Sequence, residues 1–218
     1  MTIHSLDVVL TDLFITVICV YFVAQLATQN STHADLRSFF VGLFSSIGIA
    51  ALAGAIYHGI YQHNSDLAYA AEITPFLKML VLLLLGLTSY YIWRLFFFFA
   101  LPQRFRAVTA VLLFVMLTAY FTLVLFGLEG FKVAIAAYLP PALLLTFTFA
   151  VKWLKKKDAR YALGLLGLLL TLIAAGVQAL KIGIHPEYFN HNALYHVIQA
   201  VGLYLIFKFA QRIIAWQS

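Results

Sequence analysis

Charge is scarce in this chain: Asp, Glu, Lys and Arg make up only 10% of its 218 residues, against 64% hydrophobic ones. A water-soluble globular domain carries about 25% charged residues, so one core surrounded by water cannot account for this composition. Cysteine is almost missing. Its one representative, Cys19, lies in an apolar run, which excludes a disulfide framework and a cysteine-based metal centre and leaves a small buried hydrophobe. No basic run alternates with aromatics in a polar setting, so the net charge of +6 does not mark a nucleic-acid surface. A cleavable secretory leader is not expected either, because the N-terminus lacks a basic segment and the first apolar stretch is long enough to span. Neither end carries a lipidation motif.

Long apolar runs take the place of all this. A spanning helix needs roughly 20 mostly apolar residues, and seven stretches qualify: 6–28, 38–62, 74–100, 106–128, 131–153, 160–181 and 190–215. The polar separators are short and leave no room for an extramembrane domain. The expectation is an all-α membrane protein, a single seven-transmembrane-helix bundle over residues 1–218. Pro140 and Pro141 should kink the fifth helix by removing backbone donors.

Basic residues set the orientation. Ten of them (Arg37, Arg104, Arg106, Lys152, Lys155, Lys156, Lys157, Arg160, Lys208 and Arg212) fall on one side, against Lys78, Lys132 and Lys181 on the other. Arg94, inside the third helix, is expected to snorkel toward the basic side. The N-terminus should therefore lie outside and the C-terminus in the cytoplasm, in a multi-pass protein of the inner (plasma) membrane if the cell is bacterial.

Most histidines and carboxylates map to the outer side. His4, His63, His185 and Glu129 there read as solvated loop residues, as does His33 on the inner side. Three ionisable residues instead fall within spans: Asp12, His58 and His196, all at one depth, roughly 6–9 Å below the outer boundary. Polar groups in hydrocarbon are costly and face the bundle interior with partners. Two imidazoles and a carboxylate at a common level suit a Zn²⁺ site, with His58 and His196 as ligands and His191 a less convergent third. Asp12 could be a ligand, a base for metal-bound water or an acceptor for an imidazole N–H. Asp66 or Glu72, on the outer loop and at the next helix start, could close over the site as acid or base. The plainer alternative is that the histidines hydrogen-bond across helices and hold a polar patch together. Asn190 is placed to cap the seventh helix. The small residues Gly48, Ala50, Ala51, Ala53, Gly54 and Ala55 make the second helix thin enough for close neighbours.

The segment Asn192-Ala193-Leu194-Tyr195-His196, followed by a small-residue helix reaching Tyr204, resembles the seventh-helix pattern of the CREST superfamily of membrane hydrolases and receptors. That group includes the alkaline ceramidases and the progestin and adipoQ receptors. Tyr57-His58-Gly59 is similar to the family's second-helix zinc ligand. The resemblance implies seven helices, zinc, and His58 and His196 as its ligands. Asn192, Gly54 and Tyr69 stand where the family pattern has His, Ser and Asp, and His191 lies one residue off register.

Two functions follow as expectations. One is a zinc-dependent hydrolase acting on a lipid amide or ester, with Asp12 or Asp66 taking the proton and an apolar cavity beside His58 and His196. The other is a non-enzymatic receptor-like or sensor protein whose site is closed or fully ligated. Membrane lipid is the expected partner in both. A transporter is disfavoured because no internal repeat or interrupted helix pair is visible. An opsin is disfavoured because the seventh helix has no mid-span lysine.

Overall fold

Seven helices long and apolar enough to cross a membrane make up the computed structural model, which describes residues 5–30, 34–62, 64–67, 69–127, 130–185 and 188–216. They are α1 (Leu6–Thr28), α2 (Ala34–Ile56), α3 (Ala70–Ala100), α4 (Arg106–Leu125), α5 (Phe131–Lys156), α6 (Ala159–Ala179) and α7 (His191–Trp216). A π-helical turn, Tyr57–Tyr61, extends α2, and a 3₁₀ turn, Gln103–Phe105, precedes α4. The protein is thus an integral, multi-pass helical bundle. Of the residues mapped above, His4, His33, His63 and Glu129 lie outside the described residues.

Several helix ends move from their expected positions for local reasons. The third helix begins at Ala70 rather than at 74, because Pro75 already has a helical φ and removes only one donor near the start. Gly127, at φ 105°, stops α4 before residue 128. Lys157 takes the left-handed conformation (φ 52°), and its N–H bonds to the carbonyl of Trp153 at 2.8 Å, so α5 runs to Lys156 rather than 153. The fifth helix is continuous through Pro140 and Pro141. Pro141 cannot donate to the carbonyl of Ala137; Ser89 of α3 does so instead, at 2.6 Å.

Packing arranges α1, α2, α3, α5, α6 and α7 in a closed ring of neighbours, with α4 outside it on α3. Accordingly α2 is the most buried span (56%) and α4 the least (11%). The thin face of α2 works as expected: a Cβ at Gly48 would lie 2.9 Å from the Cβ of Cys19 on α1. The closest crossing, however, is between α6 and α7, where Gly167 and Gly202 each lie against the other's carbonyl. Tyr120 of α4 covers Gly86 of α3 and donates to the carbonyl of Leu82 at 2.9 Å, pinning the outlying helix.

Aromatic side chains fill the interior away from the histidines. Phe22 stacks on Phe207 at 4.2 Å, and Phe99, Phe149, Tyr161 and Phe209 form a second knot between α3, α5, α6 and α7. Because successive helices alternate in direction, the ten clustered basic residues share one end of the bundle, the basic end, and Asp12, His58 and His196 lie toward the other, the site end.

Candidate functional site

Asp7 and Asn190 fix the frame of the site. The Asn190 side-chain oxygen accepts the N–H groups of Asn192 (2.8 Å) and Ala193 (3.2 Å), the expected cap on α7. The Asn190 backbone N–H is itself donated to Asp7 at 2.9 Å, which ties the start of α7 to the start of α1. With those two helix ends joined, residues one turn further in come into contact across the interface. They are Thr11, Asp12 and His196.

His196 is held at both ring nitrogens. Nε2 lies 3.3 Å from Oδ1 of Asp12, and Nδ1 lies 3.1 Å from the Thr11 hydroxyl. That hydroxyl also reaches the carbonyls of Asp7 (2.9 Å) and Val8 (3.0 Å) but has a single proton to give. When Thr11 donates to Nδ1, the imidazole keeps its proton on Nε2 and donates it to the carboxylate. When Thr11 donates to its own helix, Nδ1–H points at Thr11, and a second proton must bridge Nε2 and Asp12. In both arrangements one proton sits between Asp12 and His196. Asp12 is only 4% exposed, and its other oxygen, Oδ2, has no hydrogen-bond partner among the described residues.

Gly54 makes room for this carboxylate. A Cβ there would stand 3.1 Å from Oδ2 of Asp12. Three residues later the chain enters the π turn, where Gln62 N–H bonds to the carbonyl of Tyr57 at 2.8 Å. Turns of this kind recur at functional sites because the widened backbone re-aims side chains. Here His58 is the residue re-aimed, and its Nδ1 pairs with the Gln62 side-chain oxygen.

Two cavities meet at this level. The inner one, of about 470 Å³, runs from Asp12, His58 and His196 into the apolar interior beside Phe40, Leu203 and Phe209. The outer one, also about 470 Å³, is a polar vestibule at the site end, lined by residues including Gln62, Lys181, Asn190 and His191. His58 and Asn192 line both and form the boundary between them. Gln178 lines the inner cavity along with Tyr138, Tyr195 and Gln199.

The expected site residues therefore separate. Asp12, His58 and His196 come together around the inner cavity as the depth match required. His191, as the first residue of α7, faces the vestibule instead. Asp66 is exposed and lines neither cavity, and Glu72 is exposed in the first turn of α3. Thr11 and Asp7 were missed: one is a hydroxyl beside Asp12 that most helices would satisfy internally, the other a carboxylate that reads as loop. Among the described residues, no three His, Cys, Asp or Glu side chains converge on one metal-sized point. His196 already spends both nitrogens on Thr11 and Asp12. As arranged, the residues do not fit a three-ligand zinc centre.

A family model described as a family of unknown function, DUF6962, matches residues 8–215. No curated protein and no solved structure matches the chain.

Proposed function

Because the chain belongs to this family of unknown function, no activity comes to it by kinship, and we propose from the geometry that it is a receptor-like membrane protein that binds a lipid-like amphiphile. The observation that carries this reading is the pair of chambers joined at His58 and Asn192, polar on the vestibule side and largely apolar within. An alkyl chain fits the inner cavity, whose size falls in the range of small-molecule sites, and its polar head lies at Asp12, His58 and Asn192. The basic end faces the cytoplasm by the positive-inside rule. The vestibule then opens on the outer side of an inner (plasma) membrane, with the N-terminus outside.

A second reading, a hydrolase of a lipid amide or ester, is favoured by the unpartnered Oδ2 of Asp12. Beside a bound carbonyl it would take a proton from water as the water oxygen adds to the carbonyl carbon, and return that proton to the amine or alcohol that leaves when the C–N or C–O bond breaks. The resemblance of Asn192–Tyr204 and of His58 to the CREST pattern points the same way. A zinc form would need His196 to give up Thr11 or Asp12.

Mass spectrometry of lipid co-purified with the wild type and with Gly176→Phe tests the binding reading. Gly176 lines the inner cavity, and a Cβ there meets nothing within 4 Å, so the ring enters without displacing backbone. One retained amphiphile species, lost from the variant, is expected. Equal retention in both, or none in either, rejects binding in this cavity. Hydrolysis of a fluorogenic lipid amide or ester that Asp12→Asn abolishes while retention persists would establish the second reading. Stoichiometric zinc lost in both His58→Ala and His196→Ala would establish its metal form.

A further inference from the structure

The chain between α6 and α7 turns back on itself and builds one wall of the vestibule. Just past the end of α6, Lys181 takes the left-handed conformation (φ 55°). Its N–H bonds to the carbonyl of Gln178 at 3.1 Å, and that of Ile182 to the carbonyl of Val177 at 3.0 Å. Glycine is the usual residue at such a helix stop, because it has no Cβ to crowd the neighbouring carbonyl. Two residues on, Gly183 lies against the start of α7, where a Cβ would stand 3.0 Å from the backbone nitrogen of His191 and 3.2 Å from the carbonyl carbon of Asn190. His185 and Phe189 then pair backbone to backbone at 3.0 and 3.2 Å. This turn brings Lys181 to the same cavity as His191 and Asn192.

The vestibule so formed has a charge of one sign. Among the described residues, Lys181 is the one charged side chain that lines it, and no carboxylate does. Asp7, at the start of α1, is committed to the Asn190 N–H and is not part of the lining. No carboxylate among the described residues is within pairing distance of Lys181. The His191 imidazole and the Asn192 amide make no hydrogen bond among those residues either. Here also α7 begins, a helix of 26 residues with no acid in its first turn, so the positive end of its dipole adds to the field of the lysine. An ammonium can only donate hydrogen bonds, and an imidazole and an amide can each donate one. Together they suit acceptor oxygens that carry negative charge. A cationic head would be repelled by Lys181, and a neutral one would gain little from it.

We propose that the vestibule is a head-group site selective for an anion, the carboxylate or phosphate of a single-chain lipid, held by Lys181 with His191 and Asn192. The charged atoms stay on the vestibule side, and the chain passes between His58 and Asn192, beyond the level of Asp12, into the inner cavity. This rests on the reading of the two chambers as an amphiphile site and adds the sign of the head-group charge, which the chambers' shape does not supply.

The test offers the full chain, stripped of lipid in detergent, hexadecyl amphiphiles that differ only at the head: hexadecanoate, hexadecyl phosphate, hexadecanol and hexadecyltrimethylammonium. Native mass spectrometry counts the bound species. The two anions should be retained about fivefold over hexadecanol, the upper end for an exposed ion pair, and the ammonium least of all. Lys181→Gly should bring the anions down to the level of hexadecanol and leave hexadecanol itself unchanged. Its melting midpoint should hold or rise, because glycine suits the left-handed turn. Lys78→Gln removes a cation that lies over the Tyr57 ring and does not line the vestibule, and it should leave the preference in place. Failure of wild type to retain any of these amphiphiles rejects the amphiphile reading itself, and this proposal with it. Equal retention of all of them leaves that reading standing and overturns the anionic head group. A preference that survives Lys181→Gly, or that Lys78→Gln removes equally, overturns its assignment to the vestibule. Displacement of hexadecyl phosphate by an equal concentration of inorganic phosphate makes the vestibule a site for free anions and overturns the lipid source.

Discussion

A buried carboxylate and a buried imidazole stabilise a bundle only while each has the other. Removing His196 leaves the carboxyl of Asp12, a residue only 4% exposed, against Gly54 without its partner. Breaking one side of such a pair costs about 3–5 kcal/mol. His196→Ala should therefore lower the unfolding midpoint more than Asp12→Asn, whose amide can still donate to Nε2. A thermal-melt series with the double variant checks this, and the double should cost less than the sum of the singles. Gly54→Ala presses on the same carboxylate from α2. Its methyl, 3.1 Å from Oδ2, should cost about 1–3 kcal/mol as overpacking, and an equal or higher midpoint would mean that Asp12 moves aside freely. These residues were legible in sequence because an ionisable group inside an apolar run stands out whatever its partner. Thr11 was not, because threonine in a helix is normally satisfied by its own carbonyls. His191 was the less convergent residue in sequence because five residues separate it from His196, and at the capped start of α7 it lines the vestibule.

Helix ends show the same division between what pattern declares and what local chemistry decides. Seven spans were readable from length and hydropathy, yet their limits were set by Lys157 and Gly127 at positive φ and by Pro75 inside the second turn of α3. The start of α6 is the best-defined of these ends. Asp158 caps it by accepting the Arg160 N–H at 2.9 Å, and the Arg160 guanidinium grips both its oxygens. The hydrogen bond from the Arg160 side chain holds the Asp158 carboxyl below its ordinary value of 3.8. A depressed carboxyl adds stability that is present above the unfolded-state value and is lost as pH falls through the lower folded-state value. Asp158→Ala should cost about 1 kcal/mol at pH 7, the usual worth of a cap. The difference from wild type should shrink below pH 4, in melts run from neutral to acid pH. At the other proline-bearing helix, Ser89→Ala strands the Ala137 carbonyl that Pro141 cannot serve. A loss of about 0.6 kcal/mol, typical of a hydrogen bond between membrane helices, is the expected outcome in the same melts.

At the scale of the whole molecule, a ring of six helices with the seventh outside it encloses space that side chains do not fill. Its inner cavity, of about 470 Å³ and lined mostly by apolar side chains, is of the size that takes a small amphiphile. No sequence pattern could show this, since the cavity is bounded by residues from six helices whose spacing depends on Gly48, Gly167 and Gly202 all permitting close approach. The consequence is a linkage. A ligand present at 100 times its dissociation constant adds about 2.7 kcal/mol to a protein that binds it only when folded. Wild type stripped of lipid should melt low and recover that increment when a single-chain amphiphile is restored. Gly176→Phe places a ring in the same space, so it should melt higher than stripped wild type and gain nothing from the amphiphile. If the two proteins respond alike, the cavity is not where the ligand goes. If the variant alone is stabilised and wild type gains nothing, the space is a packing defect and not a binding site.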